Sequence, residues 1–371
     1  MKHRALSAAL LAASLLMALK ADEILRAAEP ATLTSPEPDL NQVEAASETG
    51  FVIDPSPYIT VLPYNSRALR SAPYRSTDPF GAAPFPRLLF TLEEPLQGCQ
   101  PEPGPLDAWY AGLEYDPLLN DDVLAYYGKP GVSTMGILGR LSKEENDKRL
   151  EALAAQYDAA NGQRGVKRAF YLIYGTVWPE GEIGILKEAT TREWVEYALK
   201  RGMIVFLDHQ IGKYTVEEAM ARLLPWLAYP NVHLALDPEW RTTKPMKEIG
   251  SVRADELNAA QAQMQAYIEE RGLPGRRMLV VHQFKPYMIR EAETLRADFD
   301  RVHLVHCADG FGNPAVKLEA YQRNAAKTNL PLKGYKLFYE SGYPGAGFDK
   351  PLMSPAQVMA LSPAPALVMY Q

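Results

Sequence analysis

MIVFLDHQIGKYTVEEAMARLLPWLAYPNVHLALDPEW, residues 203–240, sets two short apolar runs on either side of an amphipathic one. "MIVFLD" and "VHLALD" are apolar at nearly every position and too short for stable helices, which reads as strands with both faces covered. Between them, Thr215 and the glutamates that follow make a capping pattern, and the apolar residues of "TVEEAMARLLPWLA" then recur at helical spacing. Strand, helix and strand in that order join parallel neighbours, because parallel strands need a long crossover.

The same alternation extends in both directions. Upstream, "DVLAYYG" (122–128) and "RAFYLIYG" (168–175) are strand-like, while "SKEENDKRLEALAAQYDAA" (142–160) and "TREWVEYALKRG" (191–202) are helical. Downstream, the strand-like runs are "MLVVHQF" (278–284), "VHLVHCADG" (302–310), "GYKLFYESG" (334–342) and "ALVMYQ" (366–371). They are separated by the helical runs "ADELNAAQAQMQAYIEERG", "REAETLRAD", "AVKLEAYQRNAAK" and "SPAQVMALS". Eight strands alternating with seven helices predict an α/β fold, a (β/α)8 TIM-type barrel spanning 120–371. A doubly wound open sheet is the alternative, but no G-x-G-x-x-G turn follows the first strand, and "MGILGR" does not satisfy it.

The first 119 residues differ in kind. Lys2, His3 and Arg4 precede an apolar run from Ala5 to Leu19, the layout of an export signal over 1–21 that is either cleaved or kept as an anchor. That run is shorter than the ~20 residues of a comfortable transmembrane helix. Residues 22–119 are rich in proline and poor in periodic apolar signal, which predicts a linker followed by an extended wrap. Part of that wrap is expected to cover the last strand, which no helix follows. A net charge of -6 offers none of the basic footprint that nucleic acid requires. With only Cys99 and Cys307, no disulfide scaffold or zinc cluster is expected, and Cys307 is expected to be free and buried.

In such a barrel the chemistry lies at the C-terminal ends of the strands. There the third strand places Asp208 and His209, and the fourth places Asp237, Glu239 and Trp240. The fifth places His282 and Gln283, the sixth His306 and Asp309, the seventh Lys336, Tyr339 and Glu340, and the second Tyr174 and Trp178. His233 and His303 fall early in their strands and are expected to be packed core residues. Alternation along the fourth strand puts Asp237 and Glu239 on the side of His233 and Ala235, facing the mouth. Two carboxyl groups flanking a bond are what glycoside hydrolysis needs, one to give a proton and one ionised. Glu239 is the expected acid, because Trp240 and Asp237 would raise its pKa by desolvation and like charge. Asp208, Asp309 and Glu340 are candidates for the ionised partner, with Lys336 expected to hold a rim carboxylate ionised. Trp178, Trp240, Tyr174, His282, Gln283, Asp309, Lys336 and Tyr339 are expected to line the substrate site. No cofactor is expected. Two other readings stay open: a metal-dependent hydrolase using Asp208, His209, Asp237, Glu239, His282 and His306, and a barrel that binds cell-wall glycan without turning it over.

The motifs "YYGKPGVSTMGILGR", "LDHQIG", "LALDPEW", "VVHQF", "ADGFG", "GYKLFY" and terminal "MYQ" resemble a family of exported, glycoside-hydrolase-like bacterial barrel proteins, many of them lipoproteins. The resemblance spans about 120–371 and implies the barrel and export to the cell envelope or medium, while the carboxyl groups at the mouth make a polysaccharide or cell-wall glycan the expected partner. A lipoprotein cysteine is lacking here, so membrane contact would come only through an uncleaved anchor. Acids at strands four and seven also resemble those of the large clan of retaining glycosidases, which would pair Glu239 with Glu340. Pro238 stands where that clan carries asparagine.

Overall fold

The computed structural model describes residues 116–118, 121–162, 164–273 and 275–371. The export segment at 1–21, nearly all of the Pro-rich stretch at 22–119, Cys99 and the wrap expected over the last strand lie outside the described residues.

Eight parallel strands close into a barrel: β1 (Asp121–Gly128), β2 (Gly165–Val177), β3 (Ile204–His209), β4 (Val232–Leu236), β5 (Arg277–Gln283), β6 (Val302–Ala308), β7 (Lys333–Leu337) and β8 (Leu367–Tyr370). Each pairs with the next, and β8 returns to β1 through Val123 opposite Leu367 and Ala125 opposite Met369. Closure leaves the barrel strands no free edge. The helices are α1 (Lys143–Asp158), α2 (Glu188–Lys200), α3 (Val216–Leu223), α4 (Ala254–Glu270), α5 (Pro314–Ala325) and α6 (Pro355–Met359). The capping pattern read at the start of α3 is a reciprocal box between Thr215 and Glu218.

One connection departs from the alternation. "REAETLRAD" is not an α-helix; β5 and β6 are joined by two 3-10 turns, Pro286–Met288 and Ala292–Thr294. A two-residue strand, Ile289–Arg290, lies between these turns and pairs with Val252–Arg253. Glu291 adopts a left-handed φ of 56°, which interrupts helical winding. Its neighbours' carbonyls are taken by side chains instead: Asn329 Nδ2 donates to Ala292 O at 3.0 Å and Leu295 O at 2.9 Å, and Asn258 Nδ2 to Thr294 O at 3.0 Å. Tertiary hydrogen bonds thus satisfy backbone groups that a helix would have paired internally.

Strand alternation divides the core in two. Ala125, Tyr171, Phe206, Ala235, Val280, Val305 and Leu367 fill the barrel, while Leu124, Phe170, Leu207, Leu234, Val281, Leu304 and Val368 pack outward against the helices. The N-terminal ends of the strands carry structural polar contacts. Arg164 Nε meets Asp122 at 3.0 Å, His303 Nε2 meets Asp116 at 3.0 Å, and His233 Nδ1 accepts from Met278 N at 2.8 Å. These histidines are packed and bonded at the bottom of the barrel, as their early strand positions suggested. Cys307 is a free, buried thiol. At the opposite end, β2 runs past the barrel and doubles back on the antiparallel strand Ile183–Ile185.

Candidate active site at the barrel mouth

The inward positions near the C-terminal ends of seven strands bring Tyr127, Tyr171, Asp208, Asp237, His282, Asp309 and Lys336 together, all buried. Charged groups at such depth are tolerated only when they hold one another. Lys336 Nζ donates to Asp309 Oδ2 at 3.1 Å and lies 3.9 Å from the centre of the Tyr127 ring. His282 Nδ1 reaches the same Asp309 oxygen at 3.2 Å, and its Nε2 lies 2.8 Å from Tyr171 Oη and 3.8 Å from Asp208 Oδ2. Tyr127 Oη donates to Asp208 Oδ2 at 3.0 Å, and Asp208 Oδ1 is buried with no hydrogen-bond partner. Asp237 follows β4 directly and its side chain accepts the Glu239 backbone N–H at 3.2 Å, which caps the 3-10 turn Pro238–Trp240 and holds Glu239 at the lip.

This packing pushes the ionisable groups in opposite directions. Burial disfavours charge on His282, but its hydrogen bond to Asp309 and the charges of Asp208 and Asp237 outweigh it and hold the imidazole well above its ordinary pKa. As a cation it donates from both ring nitrogens. Burial likewise opposes charge on Asp309, yet Lys336 and His282 keep its carboxyl far below the usual range. Asp208 is raised by burial despite His282 and Lys336. Asp237 is raised to about 7 by burial and by the like charges of Asp208 and Asp309. Glu239 keeps part of its surface at the mouth but is enclosed on most sides, and burial with the charge of Asp237 lifts it well above an ordinary glutamate. One mouth therefore holds a carboxyl kept ionised, Asp309, and one kept protonated, Glu239.

Other predicted residues take different places. Tyr174 faces outward, accepting from Trp226 Nε1 at 3.1 Å, and Tyr339 stacks on Tyr370 in the outer layer with centroids 5.0 Å apart. Gln283 also points away from the barrel interior: its amide donates to Lys285 O and Pro286 O while its Oε1 meets His306 Nε2 at 2.7 Å. Glu340 is exposed and is not brought to the buried cluster. Trp178 stands 46% exposed on the hairpin after β2, and Trp240 is half-buried beside Glu239. The histidines of the metal reading do not converge: His209 accepts from Ile211 N at 2.9 Å with its ring against Gly175, His306 binds Gln283, and both nitrogens of His282 are engaged. Among the described residues no three His, Cys, Asp or Glu side chains are grouped to hold a metal ion.

Tyr127 and Tyr171 also belong to the site, although within their apolar strands they read as core aromatics. Their inward parity with Val123, Ala125 and Ala169 was the available signal.

Fold and site define a (β/α)8 barrel with a desolvated carboxyl, imidazole and ammonium cluster at its C-terminal mouth. No protein-family model and no curated protein matches the chain. Among solved structures it is similar to a chitinase from Chromobacterium violaceum, with a TM-score of 0.33 and 11% identity over 58% of this chain and 68% of that one.

Proposed function

We propose that this chain is a glycoside hydrolase acting on a polysaccharide, with Glu239 as general acid. The observation that carries the reading is the divergence of carboxyl environments at one mouth: Glu239 is held protonated at the lip, while Asp309 is held ionised beneath it. In the reaction Glu239 gives its proton to the glycosidic oxygen as the bond to the anomeric carbon breaks. Positive charge then builds on the sugar. Against it stand the carboxyls Asp208, Asp237 and Asp309, with the cations His282 and Lys336 among them, so that ionisation of Asp237 adds negative charge beneath the developing cation. Preorganised charge of this kind stabilises a cationic transition state without reorganisation.

Asp309 is too firmly tied to Lys336 and His282 to be an effective base. The carboxylate that attacks, or that activates water, is therefore drawn from Asp237 and Asp208, whose raised pKa values preserve basicity. The basic and apolar residues 2–19 support export, so a substrate in the cell envelope or the medium suits the chain.

The test is Glu239→Gln. Release of reducing ends from a panel of envelope and plant glycans should fall by about 10²–10⁴-fold while glycan retention persists. Undiminished turnover in this variant overturns the acid assignment. Glycan binding by the native chain with no release of reducing ends would favour a binding barrel.

A further inference from the structure

Beside the central cluster lies a cation that the proposed reaction does not use. Lys129 follows β1, two residues beyond the inward-facing Tyr127, and is half-buried at the mouth. Its Nζ donates to Thr176 Oγ1 at 2.8 Å and lies 5.9 Å from the centre of the Trp178 ring. Among the described residues no carboxylate pairs with it, in contrast to rim lysines Lys213, paired with Glu182, and Lys244, paired with Glu248. Burial accordingly pulls its pKa down, with no acid to restore it. An ammonium carries three N–H donors and Thr176 takes one. A partly desolvated charge left without a counter-ion is a local cost that binding of an anion would remove.

The neighbouring indole is held as a plate. A Cβ at Gly184 would lie 2.0 Å from Trp178 Nε1 and 3.0 Å from its Cδ1, so the ring rests directly on the hairpin backbone where only glycine leaves room. Fixed on one side by that backbone, Trp178 remains 46% exposed. A rigid amphipathic ring of this kind presents contact area at little entropic cost.

We infer that Lys129 and Trp178 form a subsite for a sugar residue bearing a carboxylate, its ring stacked on the indole and its carboxylate on the ammonium. The inference rests on the polysaccharide reading and narrows it to acidic glycans. The central carboxyls do not repel such a substrate strongly, because His282, Lys336 and the proton on Glu239 offset most of their charge.

The experiment is titration calorimetry of the full chain at low salt with three tetramers: galacturonic acid, neutral galactose and cationic glucosamine. The galacturonate tetramer should bind about tenfold more tightly than the galactose tetramer, with the preference shrinking as salt is raised. Lys129→Met should bring the two within about twofold, Lys129→Arg should keep the preference, and Trp178→Ala should weaken both by about tenfold. Unchanged thermal melts would show that the variants fold. Equal affinities in the native chain, tightest binding of the glucosamine tetramer, a preference that survives Lys129→Met, or no binding of any tetramer overturns the subsite. The hydrolase reading fails separately, through undiminished turnover in Glu239→Gln, which leaves these affinities unaffected.

Discussion

Asp237 and Glu239 lie two residues apart, and their environments make both reluctant to ionise. Each has a folded pKa above its unfolded value, so protonation favours the fold. That contribution is complete below about pH 4, the unfolded carboxyl range, and fades as pH rises through the folded value, about 7 for Asp237. Asp309 has the opposite sign: its contribution is present above its unfolded pKa and is lost as pH falls toward its depressed folded value. Melting temperature should therefore drop between about pH 4 and 7, and Asp237→Asn should flatten that drop, measured by calorimetric scans across the range. Activity should decline on the alkaline side as Glu239, whose pKa is held well above that of an ordinary glutamate, loses its proton, followed in a pH–rate profile. Asp237 and Glu239 were legible as mouth residues from their spacing alone. The ion triad of Asp309, His282 and Lys336 was legible only as three separate polar strand ends, because the chain separates them and only distance identifies them as partners.

At the scale of elements, the loop after β6 and the loop after β7 are tied together by a buried lysine on α5. Lys317 Nζ donates to Gly310 O at 2.7 Å and to Lys336 O, and pairs with Asp349 Oδ2 at 3.4 Å. Asp349 in turn accepts from Gly312 N and Phe338 N, each at 2.9 Å. The backbone segments carrying Asp309 and Lys336 are thus held by one ammonium. Lys317→Met leaves Asp349 buried without its cation and should cost about 3–5 kcal/mol of stability in urea unfolding. Turnover should fall as well, since Lys336 and Asp309 lose a shared support. The loop after β1 has a tighter constraint. Gly136 sits at φ 83°, where a Cβ would lie 2.4 Å from Tyr127 O, so Gly136→Ala should destabilise by about 1–3 kcal/mol, measured the same way. Strand periodicity foretold these elements well, whereas the β5–β6 connection escaped it because asparagines from α4 and from the segment after α5 replace the helix's own hydrogen bonds.

For the molecule as a whole, β8 is the seam that makes the barrel one cooperative unit. Leu367 pairs in register with Val123 on one side and Gly334 on the other, and its side chain is fully buried in the interior cluster. Leu367→Ala should lower unfolding free energy by about 2–5 kcal/mol. It should do so within a single transition followed by both fluorescence and circular dichroism, because loosening the seam exposes edges on β1 and β7 together.

The sequence by itself determined the architecture. Short runs apolar at nearly every position, alternating with amphipathic ones, have few ways to bury their surface other than a parallel barrel wrapped in helices, and that signal is local. It also determined that polar chemistry gathers at one end. Which residues meet there was decided by tertiary structure. On β2 Tyr174 shares the outward parity of Phe170 and Leu172, and Tyr339 and Gln283 likewise fall on outward-facing positions while Glu340 is left in solvent. The charge state of each carboxyl followed from neighbours delivered by other strands. Coulomb energy and desolvation depend on separation in space, and separation along the chain carries almost no information about either.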